Sequence, residues 1–457
     1  MRRIVLVMAS AWTLAACAAP APEIAPLAEA VKAAGVEAAF GETCVTDGCL
    51  RVRFDLKSAP DSLIRCVIEV PDARKWDGRL WGLGNGGAGG RLNPGAVHAH
   101  AKAGGAAVHT DMGTSMRKPS PTMIRDFGHV ATHLMTVAAK AMVRARYGRP
   151  AARAYFAGGS TGGGQGFHEA IRYPGDYDGI YSRVPANTRM PLHIYFAWNE
   201  RECRDASGKS VFTKAQLEAV RRAGVEALAD EQPPFARGKY LVDPAYTPER
   251  EAKVMRRAVE LDPSLDHPDL RARLHRLFAG PAIGGRRIHS GVPFGGKVAK
   301  ARGNQWLLQW WLPKGRAVWS VTDDELLRWE RDYAPDCDAY TADIDAFLKR
   351  GGKWIITGGL EDSTVPVPSM IDWYGRAAAR CGGLDSLKRN CRFFLLPGFA
   401  HGAGHGMKGP VDVERALVDW VERGAAPEIL AADMQDGSRL DIPAYPAVPD
   451  GKSEGAR

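Results

Sequence analysis

The chain has 457 residues, 45% hydrophobic and 25% charged, the balance of a globular protein with a large core and room for one big domain or a domain carrying an insertion. Its formal net charge is +9, yet no Lys/Arg block interleaves with aromatic residues, which argues against nucleic acid as a partner. Beyond the first 17 residues no apolar run approaches the roughly 20 residues of a membrane span.

Residues 1–17 have the build of an export signal: Arg2 and Arg3, an apolar run from Ile4 to Leu14, then small residues. Leu14-Ala15-Ala16-Cys17 resembles a bacterial lipoprotein processing site, which would make Cys17 the lipidated first residue and place the protein in the cell envelope, on the periplasmic side of the outer membrane. Cleavage at a plain small-residue site would instead leave a periplasmic or secreted protein. The lipid would be the chain's sole membrane contact. Residues 18–39 read as an Ala/Pro-rich tether followed by an amphipathic stretch. Export also bears on the cysteines. Setting Cys17 aside leaves seven, at 44, 49, 66, 203, 337, 381 and 391, so some should pair, Cys381 with Cys391 most easily by proximity. No spacing has the paired pattern of a zinc site.

Residues 40–190 and 340–433 have the alternation of an α/β domain. LRVRFDL and LIRCVIEV, between Leu50 and Val70, predict two antiparallel strands. Leu80 to Gly84 predicts a short apolar strand running into the glycine loop Asn85 to Gly90, where backbone N–H groups can approach an oxyanion with no side chain in the way. Ala101 to Ser115 predicts a strand and turn, and Gly128 to Tyr147 a helix with the apolar period of one packed on a sheet. Strand Ala154–Ala157, turn Gly158-Gly159-Ser160-Thr161-Gly162, and a helix to about Tyr173 then form G-x-S-x-G in a strand–turn–helix setting. Such a turn lifts a serine hydroxyl to the tip of a sheet, making Ser160 the candidate nucleophile and the Thr161 N–H a candidate oxyanion donor, with Gly86 or Gly87 as the second. The expected class is α/β, a mostly parallel sheet covered by helices on both faces.

Residues 191–339 break the pattern. Charged helical segments (Lys214 to Leu228, Thr247 to Leu261, Leu270 to Phe278) and a tryptophan cluster predict a lid inserted over the strand ends, with Trp306, Trp310 and Trp311 as candidate walls of an aromatic pocket. The α/β pattern returns with strand Lys353–Thr357, the segment GGLEDSTVP, strand Arg392–Leu396, the loop Pro397 to Gly402 and helix Val411–Arg423; the tail 434–457 has no readable period.

GGSTGGGQGFHEAIRYPGDYDGIYSRVPA resembles the nucleophile region of the tannase and feruloyl esterase family, which includes a mono(2-hydroxyethyl) terephthalate hydrolase. The glycine loop and GGLEDSTVP are also similar to that family's segments. The resemblance implies an α/β-hydrolase fold and a triad of Ser160, Asp362 and His401, with Glu361 and His405 as neighbouring alternatives. It implies a serine carboxylesterase acting on small aromatic esters (feruloyl, galloyl or terephthalate) with no cofactor. Many members carry an Asp-rich calcium loop in the lid; Cys203 to Ser210 lacks its spaced carboxylates, so no metal is expected. Members also usually have a bridged cysteine pair directly before the serine and after the histidine. Here both positions are glycine, Gly159 and Gly402, so another contact must hold the histidine loop, such as the lid or a second cysteine pair. The same departure keeps open a lipid-anchored, inert binding protein, or an acyltransferase.

Overall fold

Period-two alternation puts one face of a segment in a core. In the computed structural model of the protein the alternating stretches become β2 (Cys49–Lys57) and β3 (Ile64–Pro71), preceded by β1 (Glu37–Thr46), a strand absent from the sequence expectation. The structure describes residues 24–114, 119–302 and 306–451; the signal segment, Cys17, Ser115 and the last residues of the tail lie outside the described residues. The chain continues through β4 (Arg79–Leu83), β5 (Ala106–Thr110), β6 (Arg153–Gly159), β7 (Gly179–Arg183), the short hairpin β8 (Ala282–Ile283) and β9 (Arg286–Arg287), then β10 (Lys353–Gly359) and β11 (Cys391–Leu396).

Nine of these strands form one sheet in the order β1-β2-β3-β5-β4-β6-β7-β10-β11. The first four are antiparallel neighbours, and from β5 to β11 every neighbour is parallel. Successive residues of the parallel strands feed opposite cores. Phe156, Ile180, Trp354 and Phe393 pack with Phe167 and Trp373 of the helices Thr161–Arg172 and Pro368–Arg380. Tyr155, Tyr181, Ile355 and Phe394 pack on the other face with Leu417 and Trp420 of the helix Val413–Arg423. The expected helix before the nucleophile spans Ala131–Tyr147, entered through a wide π-type turn at Asp126–Val130, and covers the β2–β5 side. The sheet is an α/β-hydrolase sheet, whose loops at the carboxyl ends of parallel strands are the usual place for a site.

Between β7 and β10 the expected helices form over Lys214–Glu226, Pro248–Leu261 and Pro268–Ala279, closing their own core around Phe212, Val254, Leu277 and Phe294. A further cluster gathers Leu307, Leu308, Leu326 and Trp329. Past the main sheet, β12 (Met407–Pro410), β13 (Ile429–Met434) and β14 (Arg439–Pro443) make a small antiparallel sheet, so the start of the tail is a strand after all, its Leu440 and Ile442 alternating into the core. The cysteine expectation is corrected: Cys381 and Cys391 are free thiols, Cys381 capping the helix Pro368–Arg380 and Cys391 buried at the start of β11.

Glu169, on the helix behind Ser160, is 1% exposed, and the side chain that faces its carboxyl is a second carboxylate, Asp176. Burial, and then the nearby Asp176 carboxylate, push its carboxyl well above the usual range, so the folded protein holds a proton that the unfolded chain releases. Stability contributed by this site therefore falls as pH rises above about 4.5, by up to about 1.4 kcal/mol per pH unit. Urea unfolding of Glu169→Gln should show a gain over wild type that is small at pH 4.5 and grows towards pH 8; a difference independent of pH would contradict the buried-proton assignment.

Candidate active site

Ser160 stands between the end of β6 and the first residue of the helix Thr161–Arg172 with φ 59° and ψ −118°, a conformation non-glycine residues avoid at a cost of ~1–3 kcal/mol. Three backbone hydrogen bonds hold it there. Its N–H donates to the Arg183 carbonyl (2.9 Å), and its carbonyl accepts from Gly164 N–H (3.1 Å) and Ala186 N–H (3.0 Å). The helix begins so close to β4 that side chains cannot intervene. A Cβ on Gly84 would lie 2.6 Å from Gly162 Cα, and one on Gly158 would lie 2.6 Å from the Gly162 carbonyl carbon, while Gly162 N–H donates to the Asn85 carbonyl at 2.7 Å. The two motif glycines are thus a packing requirement.

Asp362 follows β10 and His401 follows β11. The structure brings both to Ser160: Oγ is 2.8 Å from His401 Nε2, and His401 Nδ1 is 2.8 Å from Asp362 Oδ2. Asp362 is fully buried, and its other oxygen accepts from the Thr364 and Val365 N–H groups at 2.8 and 2.9 Å, so every bond it makes fixes its direction. The alternatives pair with each other instead: His405 Nδ1 lies 3.1 Å from Glu361 Oε2, on the same two loops.

Thr161 occupies the first helical position, where a backbone N–H has no acceptor within the helix. Its hydroxyl donates to the Gly87 carbonyl at 2.6 Å, tying the nucleophile turn to the glycine loop. Asn85 N–H is taken by Gln165 Oε1 at 2.8 Å, which leaves Gly86 and Gly87 as the loop's candidates for a second donor. Both line the same cavity as Ser160, Thr161 and His401.

No sulfur is needed to hold the histidine loop. Glu361 N–H donates to the Phe399 carbonyl (3.0 Å), Gly406 N–H to the Gly398 carbonyl (3.1 Å), and Gln435, in the β13–β14 turn, bonds Gly404 and Gly406 through its amide and backbone N–H, both at 3.0 Å. Where the family's first cysteine would project from position 159, a Cβ would meet the Arg183 guanidinium at 2.9 Å; at Gly402 the space is open.

The cavity holds about 400 Å³. Of the three expected tryptophans only Trp306 lines it. Trp310 packs behind Trp306 at 4.9 Å between ring centres, and Trp311 stacks on Tyr333 at 4.1 Å, so the structure seats these two in the neighbouring cluster and not on the cavity wall. The wall that sequence reading missed is the helix Arg189–Glu202, which contributes Arg189, Leu192, His193 and Phe196. Their spacing of i, i+3, i+4 and i+7 was the available signal. Arg189 is 5% exposed and lies over the Phe127 and Trp306 rings at 5.5 and 5.7 Å, with no carboxylate in ion-pairing contact among the described residues. Burial lowers its pKa to about 10, and raises that of nearby Asp338 to about 7. His193 is fully buried against Trp306, and neither ring nitrogen has a partner among the described residues; burial holds its pKa well below the usual histidine range.

Comparison with known proteins places this arrangement in a family. The family model "Tannase and feruloyl esterase" matches residues 52–232 and 318–456. A probable feruloyl esterase of Arthroderma benhamiae is 28% identical over 434 residues, covering 84% of this chain and 78% of that protein. The mono(2-hydroxyethyl) terephthalate hydrolase of Piscinibacter sakaiensis is 25% identical over 501 residues, covering 91% and 82%. The crystal structure of feruloyl esterase B from Aspergillus oryzae superposes with a TM-score of 0.78 at 19% identity, covering 92% of this chain and 96% of that one, which supports the fold. With a catalytic-type serine, histidine and aspartate at the carboxyl ends of an α/β-hydrolase sheet and a family match over most of its length, the chain belongs to the tannase and feruloyl esterase family of carboxylic ester hydrolases.

Proposed function

We propose that the protein hydrolyses esters of aromatic, phenolic acids through an acyl-enzyme on Ser160. The observation that carries this reading is the unbroken run of 2.8 Å contacts from Ser160 Oγ through His401 to Asp362. His401 Nε2 takes the serine proton as Oγ attacks the ester carbonyl, and Asp362 keeps the imidazole in the tautomer that can do so. The Thr161 N–H and one from Gly86 or Gly87 stabilise the oxyanion, a contribution often worth ~3–4 kcal/mol per donor. His401 returns the proton to the leaving alcohol, and water, deprotonated by the same imidazole, releases the acid.

The cavity wall supports an aromatic acid. Trp306 and Phe196 offer rings, while Arg189 presents a desolvated guanidinium whose nearby carboxylate, Asp338, makes no ion-pairing contact with it among the described residues. A phenolic oxygen on the acid accepts a hydrogen bond from that guanidinium, an interaction with a charged group worth ~1.5–3 kcal/mol. The names of the relatives point to aromatic acids, phenolic in the feruloyl esters and a dicarboxylate in terephthalate. The leader and Cys17 support an exported enzyme held at the envelope by lipid.

Ser160→Ala should lower hydrolysis of methyl ferulate by at least about 10³-fold, measured against p-nitrophenyl acetate as a second substrate; equal rates in both proteins would refute the nucleophile. Arg189→Leu should lower kcat/KM for methyl ferulate about tenfold relative to methyl cinnamate, which lacks the phenolic oxygen. An unchanged ratio would remove Arg189 from acid recognition, and because the ratio is taken within one preparation it is insensitive to a partly unfolded sample. Labelled palmitate should enter the wild-type protein in a bacterial host and be lost in Cys17→Ser; unlabelled wild type would mean a soluble exported form.

A further inference from the structure

His401 borders two cavities. One is the cavity already described; the other, of about 470 Å³, is lined by the histidine loop from Ala400 to His405, and the two have Thr364 and His401 in common. Where the first cavity has the rings of Phe196 and Trp306 in its lining, the second has carboxylate, hydroxyl and ammonium side chains. Glu361 and Ser363 line it from the turn after β10, His405 from the histidine loop, and Lys297 and Lys300 stand exposed at its rim.

Two buried atoms on that wall lack partners. The Glu361 side chain is 2% exposed; Oε2 is taken by His405, but Oε1 has no hydrogen-bond partner among the described residues. Ser363 is likewise 2% exposed, and its Oγ has none either. A buried carboxylate oxygen without a donor is costly, and pinning the loop through His405 occupies just one of the two oxygens. The turn itself is fixed, since the Ser363 carbonyl accepts from Tyr195 Oη at 2.9 Å and Asp362 binds the next two N–H groups. Two rigidly held and unsatisfied polar atoms beside the proton-carrying imidazole form a site that asks for hydroxyl donors.

Resting on the reading of Ser160 as nucleophile, we infer that this second cavity is the leaving-alcohol subsite, and that Glu361 and Ser363 select alcohols carrying further hydroxyl groups. An ester diverges in two directions from its carbonyl carbon. With the acid against Trp306 and Arg189, the alcohol oxygen must face the group that protonates it, His401, and what lies beyond that oxygen enters the space His401 borders on its other side. A hydroxyl there donates to Glu361 Oε1 and accepts from Ser363 Oγ, and the rim ammonium groups of Lys297 and Lys300 donate to others. Neither Glu361 nor Ser363 touches the reacting atoms, so both are specificity residues.

Two esters of one acid test this, methyl ferulate and a glycerol or glucose monoferulate. In Ser363→Ala, kcat/KM for the hydroxylated ester should fall about tenfold or more relative to methyl ferulate, and Glu361→Gln should show the same tenfold change in the ratio on top of a loss shared by both esters from its weakened hold on His405. His405→Ala frees the loop but keeps Oε1, so it should affect both esters alike. Equal losses on both esters in Glu361→Gln and Ser363→Ala, or no loss on either, would overturn the subsite. Saturation-transfer NMR of free glucose with Ser160→Ala protein gives a readout that needs no turnover: a signal lost in the Ser160→Ala/Glu361→Gln double variant supports the subsite even if hydrolysis fails, and a signal that survives, or none in the parent, overturns it.

Discussion

The architecture depends on one contact between backbones. Gly84, Gly158 and Gly162 let the ends of β4 and β6 meet the start of the nucleophile helix at distances no Cβ would tolerate, and the 2.7 Å bond from Gly162 to Asn85 locks them together. Because the helix begins there, Ser160 is forced into its positive-φ turn and its hydroxyl clears the sheet. Because β4 ends there, the glycine loop opens beside that hydroxyl. Ser160 and both candidate oxyanion donors thus share a single packing constraint, and the Thr161 hydroxyl on the Gly87 carbonyl completes the link.

The other half of the site arrives from a distance in the chain. Asp362 and His401 sit on turns after β10 and β11, separated from Ser160 by more than 200 residues, yet their strands are β7's successive neighbours in the sheet. The resemblance led to an expected cysteine pair tying these loops together, and this chain has glycine at both positions. In this protein a set of ordinary bonds has that role: Glu361 with His405 and with the Phe399 carbonyl, and Gln435 with Gly404 and Gly406. The guanidinium of Arg183 fills the side where a sulfur at position 159 would project. Substituting polar contacts for a bridge also changes what the loops offer a ligand, since the same Glu361 that holds the loop keeps one oxygen bare.

Much of this was legible in the sequence, for physical reasons. A turn that demands glycine two residues either side of serine leaves a local signature, and so do buried parallel strands such as Lys353–Gly359. Asp362 and His401 were readable through resemblance, because nothing local distinguishes Asp362 from Glu361 or His401 from His405; the difference lies in which loop atoms face Ser160. Position within residues 191–339 was harder. Trp306, Trp310 and Trp311 are equally hydrophobic, and just one faces the cavity, which depends on helix phase over a four-residue turn. Arg189 and His193 were missed because a charged and a titratable residue on an otherwise apolar helix face look like surface, whereas the cavity buries them. β1 escaped because an edge strand carries weak alternation, and β14 because its alternation spans just two buried residues, Leu440 and Ile442, in a polar, Pro/Gly-rich tail. The Cys381–Cys391 expectation was not met even though the two share one apolar cluster: both stand as free thiols.

The central claim is that one serine, activated by one histidine, carries the ester chemistry of this fold. Treatment with an aryl fluorophosphonate, followed by peptide mass analysis and residual activity on methyl ferulate, tests it most directly. The account predicts one adduct per chain, on the peptide containing Ser160, with activity lost in proportion to labelling. An adduct confined to another residue, or full activity in protein completely labelled at Ser160, would contradict it.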